Sequence, residues 1–245
     1  MSTYDEHLPH LVRGTDDIYW VGFADRKVGF SNNPYLIVDG NEAMLIDPGS
    51  RAPEHYRVVH NKVAKVLRGD FEKIKYMMVQ HQDPDLCAAL PLFEVIVNPE
   101  VKIYAQSRSA LFLRYYGVNS EVVPIEDGDE FVFESGRKLT FITTPYVHFA
   151  GSHVTYDHKT KSLFSSDIFG GFSINWSLYA NKYYLEAFKA FTEPYIGSKE
   201  ALLSALKKIS AFEIERILPQ HGSIIDEDID KYIEAAKNLE VAQWL

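Results

Sequence analysis

Three side chains within a five-residue span, His81, Asp83 and Asp85, are the part of the sequence best suited to chemistry. One imidazole and two carboxylates supply the nitrogen and oxygen donors that bind iron, manganese or zinc. They lie in the stretch Gln80-His81-Gln82-Asp83-Pro84-Asp85-Leu86-Cys87-Ala88-Ala89, where Pro84 keeps the preceding residue out of helical geometry. Alternation along an extended turn then directs His81 and at least one carboxylate toward one point. The same residues also have an ordinary structural use, since Asp83 can start a turn and Asp85 can cap the following helix.

Three more ligand-type residues stand just beyond apolar runs. His148 follows the run 139–147, Asp167 follows Leu163-Phe164-Ser165-Ser166, and His221 follows the run 214–220. Gly151, Gly170, Gly171 and Gly222 flank them and permit tight turns or close backbone approach. Four strand ends built alike point to one shared site. Cys87 is the only cysteine, so thiolate-rich zinc or iron–sulfur sites are excluded within one chain, as is an internal disulfide. A metal here is held by imidazole and carboxylate, and Cys87 reads as a small core residue.

The elements that must position these residues follow from hydropathy patterning. A strand is predicted over 74–79, leading into a helix that starts near Leu86. Residues 17–24 read as one strand with both faces covered. The runs 34–38 and 43–47 form a hairpin across Asp39-Gly40, and the second strand ends in Asp47-Pro48-Gly49-Ser50. Residues 53–68 carry a helical pattern that stops at Gly69. Further strands are expected at 101–104, 122–123, 130–133, 138–143, 153–156, 162–165 and 214–218. Helices are expected at 107–116, 183–191, 200–208 and 226–244. This order suggests two sheets packed face to face with helices outside, carrying a site along one rim.

The 245 residues suit one large domain, and 46% hydrophobic content is ordinary for a globular core. A net charge of -9 argues against a general nucleic-acid or anionic-membrane binder. No apolar run is long enough to span a bilayer and the first ten residues lack a secretory apolar core, so a cytoplasmic location is expected.

On these residues the sequence resembles the metallo-β-lactamase superfamily, and within it the diiron domain of the flavodiiron proteins. The resemblance runs from Asn33-Pro34-Tyr35-Leu36-Ile37-Val38 and Leu45-Ile46-Asp47 to Leu218-Pro219-Gln220-His221-Gly222. The segment Leu163-Phe164-Ser165-Ser166-Asp167-Ile168-Phe169-Gly170 is similar to the family's bridging-aspartate segment. It implies an α/β (α+β) fold, the αββα sandwich of two mixed sheets, as a single domain over 1–245 without a flavodoxin domain or FMN. It also implies two iron ions: His81, Asp83 and His148 on the first, Asp85 and His221 on the second, and Asp167 bridging both. Asp47 matches a position where a carboxylate orients a ligand imidazole, or else stabilises the turn.

Two departures carry information. Asp83 stands where hydrolytic relatives have histidine, giving three carboxylates and three imidazoles, a harder set that suits iron or manganese better than zinc. Leu86 replaces the family's histidine and cannot coordinate, so the second metal is expected to keep an open position beside an apolar wall. The resemblance then implies binding of dioxygen or nitric oxide, as in the oxygen-binding diiron proteins associated with bacterial chemotaxis signalling. An alternative is a reductase fed by a separate flavodoxin or rubredoxin, with an electron-transfer or signalling partner and a homodimer implied by family only. A third reading is a dinuclear zinc hydrolase.

The remaining histidines, His7, His10, His55, His60, His153 and His158, are expected at the surface or in structural roles. The aromatics Trp176, Tyr179, Tyr183 and Tyr184 read as core or interface, with a roof over the pocket as the other use. Trp244-Leu245 reads as an exposed apolar tail.

Overall fold

The computed structural model describes residues 5–172 and 177–243; Trp176 and Trp244-Leu245 lie outside them. A seven-stranded sheet runs in the order His10–Leu11, Ile18–Trp20, Tyr35–Asp39, Glu42–Ile46, Ile74–Val79, Lys102–Gln106, Glu121–Ile125. A five-stranded sheet runs Glu130–Val132, Lys138–Thr143, His153–Asp157, Ser162–Phe164, Arg216–Leu218.

Successive strand residues alternate between two apolar environments. Ile37, Ile46 and Met78 face the inter-sheet core with Phe141, Phe164 and Leu218 of the second sheet. Their neighbours Leu36, Leu45 and Met77 face outward onto Val59, Val63 and Leu67 of the helix Pro53–Leu67. On the other side, Val154, Leu163 and Ile217 meet Phe188, Leu206 and Tyr232. Those three come from the helices Tyr184–Tyr195, Lys199–Ile209 and Ile229–Lys237. Both faces of each sheet are therefore dry, and each such side chain contributes about 1.5–3 kcal/mol by leaving water. The result is the αββα sandwich expected of the sequence.

Strand direction decides where the site falls. The strands Glu42–Ile46, Ile74–Val79, Lys102–Gln106 and Glu121–Ile125 are parallel neighbours, so Asp47 and His81 leave the sheet at one rim. In the second sheet Ser162–Phe164 and Arg216–Leu218 are parallel, which brings Asp167 and His221 to a common rim. His148 lies on the loop between Lys138–Thr143 and His153–Asp157, where Thr143 pairs with His153.

Two expected elements differ. The strand over 17–24 breaks after Trp20, and at Gly22 the chain passes so close to Asn32 that a Cβ would sit 2.4 Å from its carbonyl oxygen. The chain leaves the sheet there and forms a small ribbon, Phe23–Asp25 with Phe30–Asn32. The closing helix is shorter than 226–244, spanning Ile229–Lys237, with Tyr232 and Ala236 buried. The other elements fall within a few residues of their expected bounds. No described helix is long and apolar enough to cross a membrane.

Candidate metal centre

The six ligand-type side chains meet at one rim. His81 Nε2 is 3.6 Å from Asp83 Oδ2, and His148 Nε2 is 3.4 Å from the same oxygen. Asp167 Oδ2 faces this group, 3.6 Å from His81 Nε2 and 3.0 Å from His148 Nε2. Its other oxygen, Oδ1, turns to a second group, 3.4 Å from His221 Nε2, which is itself 3.2 Å from Asp85 Oδ2. One carboxylate thus reaches toward both clusters.

These atoms crowd together without bonding to each other well. His81 Nε2, His148 Nε2 and both oxygens of Asp167 are buried and make no aligned hydrogen bond, although they lie within reach of one another. Donor atoms that converge on a point between them, rather than on each other, fit a cation at that point. His81, Asp83 and His148 offer ligand atoms all within 4.8 Å of one another, a spacing that can hold an ion. Three carboxylates offset much of the charge of two such ions, and the nitrogen and oxygen donor set fits iron or manganese.

The turn and cap roles available to the aspartates do not use their side chains. Asp83 occupies the N-cap position of the helix Pro84–Cys87, yet its carboxylate makes no capping bond. Asp85 lies in the first turn with its carboxylate directed to His221. Pro84 at the helix start separates the two, so one points to each cluster.

Electrostatics follow from this crowding. Burial disfavours charge on His148, but the adjacent Asp167 and Asp83 outweigh it and raise the ring pKa to about 10. For His221 burial is likewise outweighed, by Asp167 and Asp85, and the pKa rises to about 9. His81 is raised against burial by Asp167 and Asp83. Burial would lift Asp167, but His81 and His221 bring it down to about 2. The metal-free rim is thus a set of carboxylates holding protons on imidazoles, positions that an ion can take over.

Groups behind these side chains fix their orientation. Ser166 Oγ lies 2.9 Å from His81 Nδ1, and the Ser31 carbonyl accepts from His221 Nδ1 at 2.7 Å. Each contact leaves the Nε2 of its ring facing the cluster. Left-handed backbone at Asp47, Tyr146, Ser166 and Phe169 gathers in the loops of this same rim, where strain commonly accompanies function.

Asp47 takes a different role from orienting an imidazole. Its Oδ1 accepts from the Gln80 main-chain N–H at 2.8 Å and its Oδ2 from Gln80 Nε2 at 3.1 Å. It therefore holds the residue before His81, not a ring. Burial raises its pKa to about 7 against those bonds. Leu86 is fully buried in the helix that carries Asp85.

Sequence reasoning misjudged or missed several neighbours. His153 is not at the surface: it is fully buried, its ring nitrogens have no protein partner, and burial lowers its pKa to about 3. Aromatics not singled out in the sequence stand over the cluster, while Tyr179 and Tyr184 are buried in the core, the first of the two uses expected for them. Tyr195 lies 4.4 Å from His148 between ring centres, Phe30 stacks on His221 at 4.2 Å, and Phe191 lies 5.5 Å from His221. Tyr179 instead packs under Arg13 and Tyr184 donates to the Phe169 carbonyl, while Tyr183 is exposed. The helical spacing of Phe191 and Tyr195 was the available signal.

Comparison with known proteins gives consistent matches. A family model described as ODP family beta lactamase covers residues 30–222. A solved structure of the peroxy diiron species of the chemotaxis sensor ODP superposes with a TM-score of 0.79 at 26% identity, covering 95% of this chain and 96% of that one. A mutant flavo di-iron protein from Thermotoga maritima superposes with a TM-score of 0.81 at 25% identity, over 94% of this chain and 61% of that one. A nitric oxide reductase of Moorella thermoacetica is 28% identical over 246 residues, 90% of this chain and 59% of that protein. The chain spans about three fifths or less of the first curated relatives, 59%, 37% and 35% of their lengths.

Proposed function

The chain belongs to the ODP family of beta-lactamase-fold proteins, and on that premise we propose that it holds two iron ions and binds dioxygen or nitric oxide. His81, Asp83 and His148 would hold the first ion, Asp85 and His221 the second, and Asp167 would reach both. The observation that carries this reading is Asp167, buried, with one oxygen turned to each cluster and neither in an aligned hydrogen bond. A bound ferrous pair supplies the electrons and the open coordination position that diatomic gases require.

The chain's own residues account for the rest. The Ser31 carbonyl fixes the tautomer of His221 and Ser166 Oγ orients the His81 ring, while Phe30 and Phe191 pack on His221 and Tyr195 on His148. Leu86 supplies no donor to the second ion. An apolar group in place of that ligand would favour retention of the gas over its reduction, which supports an oxygen sensor or carrier; a link to signalling such as chemotaxis and a cytoplasmic location come from the family resemblance. The near-complete mutual coverage with the chemotaxis sensor ODP supports the same choice. The similarity to a nitric oxide reductase supports the second reading, a reductase that takes electrons from a separate flavodoxin or rubredoxin.

One experiment separates them. Protein loaded anaerobically with ferrous iron is analysed for metal and then exposed to air while its absorption spectrum is followed. Two irons per chain and a visible band that outlasts the mixing support the sensor reading. Rapid gas consumption when a reduced flavodoxin or rubredoxin is supplied supports the reductase, and zinc alone with ester or lactam hydrolysis overturns both.

A further inference from the structure

We propose that the tripeptide Ser31-Asn32-Asn33 is a frame that positions the second half-site, Asp85 and His221, through bonds that do not touch the ligands of the first. The inference rests on the dinuclear reading above and assigns residues that reading does not use as ligands.

The contacts reach both members of the half-site. Asn32 Nδ2 donates to the Asp85 main-chain oxygen at 2.6 Å. The Ser31 carbonyl accepts from His221 Nδ1 at 2.7 Å, and Ser31 Oγ accepts from the Gly222 N–H at 2.6 Å. Asn33 closes the other side of the turn: its N–H donates to the Gln220 oxygen at 2.9 Å, and its Nδ2 to the oxygens of Pro219 at 3.0 Å and Gly222 at 3.1 Å. Every main-chain acceptor from Pro219 to Gly222 other than that of His221 is thereby tied to Asn33.

The frame is itself fixed. Trp20 Nε1 donates to Asn33 Oδ1 at 2.9 Å, so the amide oxygen meets a donor while its nitrogen meets two acceptors. Lys62 Nζ lies 3.7 Å from the Trp20 ring centre and donates to the Gly22 oxygen at 2.6 Å. Ser31, Asn32 and Asn33 are only 2%, 4% and 1% exposed, so bulk water does not replace a bond cut among them.

None of these bonds reaches His81, Asp83 or His148. The first half-site leans on Ser166 and on the Tyr195 ring, and the residue before His81 leans on Asp47. The two halves are joined through Asp167, through Pro84 between Asp83 and Asp85, and through the Gln220 N–H, which donates to the Ser166 oxygen at 2.8 Å, and the frame supplies none of these three links. Cutting the frame should therefore loosen one ion and leave the other, whereas a general loss of fold releases both.

The test uses Asn33→Ala and, because that position is deeply buried, Asn32→Ala as a second variant that removes only the tie to Asp85. Each folded protein, verified by circular dichroism, is titrated anaerobically with manganous ion alone. Ion stoichiometry is measured after desalting, and electron paramagnetic resonance distinguishes a lone ion from a coupled pair. The expected result is weakening of the second ion by about 10–100-fold, leaving one ion per chain with a lone-ion spectrum. Two ions with a coupled spectrum in both variants, or simultaneous loss of both ions from a folded variant, overturn the frame and leave the dinuclear reading standing. An unaltered chain that retains fewer than two ions overturns the dinuclear reading and the frame with it.

Discussion

Loading the site with metal should release protons, and the amount follows from the rim's own charges. In the metal-free chain the carboxylates of Asp167, Asp83 and Asp85 hold protons on His148 up to about pH 10 and on His221 up to about pH 9. A metal binds only the unprotonated Nε2, so each ring must give up its proton first. At pH 7 that displacement costs about 3 kcal/mol at His221 and about 4 kcal/mol at His148, at 1.36 kcal/mol per pH unit. The sign is therefore fixed: affinity rises with pH while the rings are still protonated, about tenfold per unit for each ring displaced, and levels off above about pH 10. The assay is an anaerobic titration with ferrous or manganous ion in weak buffer with a pH indicator, repeated between pH 7 and 10. At pH 7 at least two protons per chain should appear, from His148 and His221, falling toward none at the top of the range. No proton release at pH 7, or one affinity throughout, would refute the claim that the neighbouring carboxylates hold protons on these rings.

Two substitutions probe the same arrangement from other sides. Asp167→Ala removes the carboxylate that faces both clusters and should lose at least one ion per chain by elemental analysis; unchanged metal content would mean that this residue has been misplaced in the site. Leu86→His offers a donor to the second ion and should shorten the life of the absorption developed in air, on the order of tenfold, as changes around a metal commonly do; an unaltered decay would remove the argument for an open position.

Much of the site was legible because each candidate ligand follows an apolar run. His81 after Ile74–Val79 and Asp167 after Ser162–Phe164 are local patterns, and parallel strands carry such residues to one rim. The hairpin through Asp39-Gly40 was equally local, with Gly40 in left-handed geometry at φ 63°. What was hidden depends on contacts remote in sequence. Asn33 lies 189 positions from Gly222, and nothing near either residue announces their bond. For Asp47 the sequence left ring orientation and turn stabilisation both open, because family position says nothing of which neighbour its oxygens meet, and Gln80 takes both. His153 looked like a hairpin surface residue, yet its strand is buried on both sides, which alternation within four residues does not reveal. Gly22 inside a strand pattern did carry a warning, since such a glycine often marks an interrupted ladder.

The division of the six side chains between the sheets has a mechanical consequence. His81, Asp83 and Asp85 follow a strand of the seven-stranded sheet, whereas His148, Asp167 and His221 hang from the five-stranded one. In the proposed arrangement the ions are rivets through two plates, and each ties one plate to the other. A displacement of either set of side chains would then be felt as a slip of plate against plate, delivered to the helices bolted on their outer sides.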